Sequence, residues 1–115
     1  MDQLEDLMKK STELGKSIAL TPVYQDFKKA EQELLHNPEA RKLVEDLQKT
    51  KQEYYGKQMA GLELSKEEQE KLKDLETTCI RNRQVLFSNN ANTKFQEFME
   101  QITENIKIGI KSVDK

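Results

Sequence analysis

With 115 residues, 35% of them charged and 35% hydrophobic, the sequence is long enough for one domain. It is too short to bury much more than about two-thirds of the surface its unfolded chain would expose. A net charge of −2, with both signs interspersed, argues against a dedicated nucleic-acid or anionic-membrane surface. A single cysteine excludes an internal disulfide.

No run of about 18 apolar residues is present, and Met1-Asp2-Gln3 opens no secretory signal, so a cytoplasmic chain outside the membrane is expected. The composition is rich in Glu, Lys, Leu and Gln. With no Trp, 4 Gly and 2 Pro, it favours long solvated helices over sheets. The apolar share is low for a self-sufficient monomer, which predicts oligomerisation. No fixed-period repeat or low-complexity linker divides the chain, so residues 1–115 are expected to form one helical domain.

Helical periodicity predicts five helices, at about 2–19, 22–36, 38–60, 66–81 and 83–113. In the first, Leu4, Leu7, Leu14 and Ile18 form one stripe with Ser11 between them and Met8 beside it. Thr21-Pro22 then restarts the chain, Thr as N-cap and Pro at the first helical position, where its missing N–H is not needed. Val23, Phe27, Ala30 and Leu34 make the inner face of the second helix, which is expected to end near His36.

Asn37-Pro38 repeats the start signal, and the third helix is expected to bury Leu43, Val44, Leu47, Tyr54 and Met59 before closing at Gly61. Ser65-Lys66-Glu67-Glu68 is a capping box that opens the fourth helix, whose inner residues are Leu72, Leu75 and Cys79.

The end of that helix can be placed at Asn82 or within Ser88-Asn89-Asn90-Ala91-Asn92, which is poor helix-forming material. Phase decides for Asn82. Val85, Asn92, Met99, Ile106 and Val113 recur every seven residues, interleaved with Ser88, Phe95, Ile102 and Gly109 and flanked by Phe98 and Ile110. This seam predicts one unbroken helix of about 46 Å, which the rest of the chain or a second copy must cover. Glu97, Glu100 and Glu104 precede Lys107, Lys111 and Lys115, an order that suits the helix dipole.

Three stretches carry a resemblance. Thr21-Pro22 with Tyr24, Phe27 and Ala30, then Asn37-Pro38-Glu39-Ala40, then Lys57-Gln58-Met59-Ala60-Gly61 with Glu63-Leu64-Ser65 and Glu67-Glu68, resemble the YlbF/YmcA family of small helical bacterial proteins. The last stretch is most similar to its YheA branch. The resemblance implies an all-α, usually dimeric cytoplasmic protein. It also implies kinship with regulators of competence, sporulation and biofilm formation that work through complexes influencing RNA processing or a phosphorelay. Some of those complexes hold iron–sulfur clusters on clustered cysteines. Here Cys79 stands alone, so neither a cluster nor another cofactor is expected.

The chemical inventory is otherwise sparse. Cys79, on an inner face, reads as a small apolar filler, and His36, at a helix end, as part of its termination. No Glu-x-x-His pair exists for a di-metal bundle, and no strand precedes Gly56 or Gly61 to make a phosphate loop. Arg81 and Arg83 flank the helix break, but nothing in the spacing of the basic residues converges them on a phosphate.

Adjacent residues of a helix point about 100° apart, so at most one of Tyr54 and Tyr55 is fully in the core, leaving the other as a rim residue or partner anchor. The expected function is therefore non-enzymatic. A helical homodimer, assembled through Phe95, Phe98, Ile102 and Ile106 with Asn92 on the same seam, would act by docking to other bacterial proteins. An RNA-associated factor working with an RNA-processing assembly is the alternative.

Overall fold

The computed structural model describes residues 2–114, so Met1 and Lys115 of the sequence reading lie outside it. The chain is all-α. Its elements are α1 (Gln3–Ala19), α2 (Pro22–Leu35), α3 (Pro38–Met59), α4 (Lys66–Arg81) and α5 (Arg83–Val113), with no strand among the described residues.

Side-chain caps set most of the boundaries. Leu4 N–H donates to Asp2 Oδ1 (3.0 Å) at the start of α1. Thr21 Oγ1 accepts from Tyr24 N–H (3.2 Å) and donates back to Ile18 C=O (2.7 Å), so one hydroxyl joins the end of α1 to the start of α2. Asn37 Oδ1 accepts from Ala40 N–H (3.1 Å), and Pro38 follows it at the first helical position.

The capping box at Ser65 is complete: Glu68 N–H donates to Ser65 Oγ (3.1 Å) and Ser65 N–H to Glu68 Oε1 (3.0 Å). Gly61, at φ +82°, closes α3 in a Schellman turn, in which Leu62 N–H reaches Lys57 C=O and Gly61 N–H reaches Gln58 C=O, each at 3.0 Å.

The break before α5 falls at Asn82, whose extended backbone ends α4 and whose Oδ1 accepts from Val85 N–H (3.1 Å). The stretch Ser88–Asn92 stays helical because tertiary bonds hold it. Ser88 Oγ donates to Ala30 C=O (3.2 Å), and Gln84 Nε2 reaches both Ser88 Oγ (3.1 Å) and that carbonyl (3.4 Å). These bonds outweigh a propensity deficit of a few tenths of a kcal/mol per residue.

The chain forms two compact units, one of residues 30–90 and one joining the described residues up to Lys29 to those from Ala91 onward. In the central unit α3 and α4 run antiparallel around Ala40, Cys79 and Val85, with Leu34, Leu43, Val44 and Leu47 packed against them. Thr50 and Tyr54 are also buried. Met59 is a correction to the sequence reading. It is the last residue of α3, where the chain turns away at Gly61, and it is 71% exposed. In the terminal unit the packing centre is aromatic: Phe27 stacks on Phe95 (centroids 4.8 Å apart, 14° between planes), and Tyr24 meets Phe95 edge-on at 5.5 Å.

Candidate interaction surface

The feature that stands out is apolar surface left open. α1 is amphipathic and buries no residue, so Leu4, Leu7, Met8 and Leu14 are all exposed. Along α5 the apolar residues of the seam are covered toward its start and open toward its end. Val85 is buried, Phe95, Phe98, Met99 and Ile102 are half-buried, Ile106 is 51% exposed and Val113 is 83% exposed.

The charged residues of this stretch, Lys94, Glu97, Glu100, Glu104, Lys107 and Lys111, fall off the seam, which leaves its face and both flanks uncharged. Open apolar faces on two helices of one unit are the kind of surface that protein association covers.

Of the residues singled out in the sequence, Ile106 stands open on the α5 strip and Phe98 and Ile102 lie half-covered on it. Phe95 is engaged by Tyr24 and Phe27 of its own chain, and Asn92 is exposed beside buried Ala91.

In the central unit Tyr54 is buried while Tyr55 is 65% exposed. Both line a shallow hollow of about 450 Å³ between α3 and α4, closed below by Leu64 and Leu72 and rimmed by Gln52 and Gln58. Outward-facing Ile80, Leu86 and Phe87 are further exposed apolar residues of this unit that the periodicity argument passed over. Their signal was available: Leu86 and Phe87 follow Val85 at steps of about 100°, so neither can share its inward direction.

The polar groups of the central unit are occupied structurally. Lys57 Nζ bonds both carboxylate oxygens of Glu68, at 2.7 and 2.9 Å, tying the end of α3 to the start of α4. That bond, and then the Ser65 backbone N–H, hold the Glu68 carboxyl below its ordinary range.

Burial pushes the Cys79 thiol up, with Asp46 and Glu76 adding to the rise and Lys51 opposing it, and Cys79 Sγ–H donates to Leu43 C=O at 3.5 Å. A thiol so placed is a poor nucleophile. His36 Nδ1 lies 2.8 Å from Gln32 C=O at the end of α2.

Around the Asn82 break, Arg81 and Arg83 share a hollow with Glu39, and the N-cap positions there are taken by Asn37 and Asn82 themselves. Among the described residues no three His, Cys, Asp or Glu side chains group to hold a metal, and no helix is long and apolar enough to cross a membrane.

Comparison with known proteins bears on the fold and the family. No curated protein sequence matches the chain. Among solved structures, RicA of Bacillus subtilis, determined in complex with RicF, has the same fold. Its TM-score is 0.80 at 16% identity over 99% of this chain and 100% of that one. The family described as control of competence regulator ComK, YlbF/YmcA, matches residues 7–111. The chain therefore belongs to the YlbF/YmcA family.

Proposed function

We propose that this protein is a non-enzymatic, cytoplasmic regulator that works as a helical homodimer and docks to other proteins, within the competence-control role its family is linked to. The observation that carries the reading is the open apolar faces of two helices, α1 from Leu4 to Leu14 and α5 from Ile106 to Val113. Such faces are costly in water and are covered by association.

The similar structure of RicA in complex with RicF supports protein partners for this fold. The sequence of the Lys57–Glu68 segment, which resembles the YheA branch, supports kinship with that branch. Tyr55 and the hollow beside it, in the central unit, supply an anchor for a docked chain.

Affinity capture with the wild-type protein and with Tyr55→Ala, each with and without nuclease, tests the reading. Partners retained by the wild type after nuclease treatment and lost with Tyr55→Ala are the expected result. Loss of every partner on nuclease treatment would instead make the protein an RNA-associated factor.

A further inference from the structure

We propose that the strip on α5 is filled by a second copy of this chain running antiparallel to the first. Ile102 then lies level with the partner's Ile106, and Met99 is seated over the partner's Gly109. The proposal rests on the homodimer reading above and adds to it an orientation and a register.

The first observation is Gly109. It lies inside a helix of 31 residues, where glycine is among the poorest choices, yet its φ is not positive and a Cβ built there would meet nothing within 4 Å. Neither its own backbone nor its own chain's packing requires glycine. It sits on the seam between Ile106 and Val113, so the missing side chain leaves a notch in an otherwise apolar face. A long, flexible, apolar side chain fills such a notch, and Met99 offers one a few turns away on the same seam.

Pairing Met99 with the notch of an antiparallel copy also sets the two exposed or half-exposed isoleucines, Ile102 and Ile106, against one another across the twofold axis. In a parallel pair Gly109 would face Gly109, and the notch would become a void.

The second observation is the order of charges. Lys94 is followed by Glu97, Glu100 and Glu104 and then by Lys107 and Lys111, all off the seam, and in this register Lys94 lies level with the partner's Asp114. An antiparallel pair brings the acidic third of each helix level with the basic third of the other and opposes the two helix dipoles, whereas a parallel pair sets like against like.

Pulsed electron-spin distance measurement decides the orientation, using the full chain with Cys79→Ser and a nitroxide on Val113→Cys. Antiparallel copies in this register separate the two labels by about 27 Å along the axis, whereas a separation under about 15 Å means a parallel pair and overturns the proposal.

Gly109→Leu decides the notch. On an open helix face it would only favour the helix, but in this register it meets the partner's Met99 and raises the dimer dissociation constant at least about tenfold. A dimer left unchanged or tightened by Gly109→Leu overturns the register while the homodimer reading stands. A wild-type chain that sediments as a monomer overturns both.

Discussion

Lys57 Nζ lies 2.7 Å and 2.9 Å from the two carboxylate oxygens of Glu68, and one of those oxygens also accepts from Ser65 N–H at 3.0 Å. One carboxylate thus caps α4 and clasps the end of α3 to its start. Its folded pKa is lowered, so the stability it contributes is fully present above the ordinary glutamate value and is lost as pH falls through the folded one. Glu68→Gln is expected to be less stable than wild type at pH 7, with the gap closing as pH drops below about 4. Urea midpoints of the two proteins at pH 7 and at pH 3 check this. An equal gap at both would mean that the charge of Glu68 is not what is felt.

Removing the other half of the box should cost a comparable cap. Ser65→Ala is expected to lower stability by about 1 kcal/mol, read as a reduced denaturant midpoint at unchanged slope. An unmoved midpoint would mean that the Ser65 hydroxyl contributes nothing to starting α4.

The aromatic centre of the terminal unit predicts a larger effect. Phe95→Ala loses the stack on Phe27 and the edge contact from Tyr24, and should destabilise by about 2–3 kcal/mol, less than a fully buried Phe because Phe95 is only half-covered. Thermal melts of Phe95→Ala beside Phe95→Leu, which keeps apolar bulk, separate loss of the ring from loss of volume.

Cys79 should behave as packing. It is buried and its thiol is pushed up, so a thiol reagent is expected to modify it only at the rate at which the native protein opens. Rapid modification at neutral pH under native conditions would contradict the assignment. The protein purified without oxygen is likewise expected to carry no stoichiometric iron or zinc, because one Cys and one His cannot enclose a site. Elemental analysis near one metal per chain would refute it.

The helix starts were legible because each is written locally: Thr21-Pro22, Asn37-Pro38 and the Ser65 box act within one turn. Placing the break at Asn82 needed the phase of a long seam, since the residues that hold Ser88–Asn92 helical are bonded to Ala30, far away in sequence. Periodicity reports which residues share a face, not how far the covering element extends.

That is why Met59, the last residue of α3 at the turn of the α3–α4 hairpin, was expected inside and lies in solvent, and why Tyr54 and Tyr55 could not be told apart until the fold chose between them. The Lys57–Glu68 clasp was illegible for the same reason: eleven residues apart, the two meet only because the turn at Gly61 folds α4 back along α3. The apolar strip was visible as a stripe, while its exposure came only from the structure.

The central claim is that this strip is where two copies meet, and Ile106 is the position at which to test it. It lies on the seam and is already 51% exposed, so a charge there leaves the single chain's core alone but cannot be buried without a partner. Sedimentation equilibrium of the wild type is expected to give twice the mass of one chain, and that of Ile106→Glu the mass of one chain with its helicity retained. A wild-type monomer, or an Ile106→Glu protein that remains a folded dimer, would contradict the account.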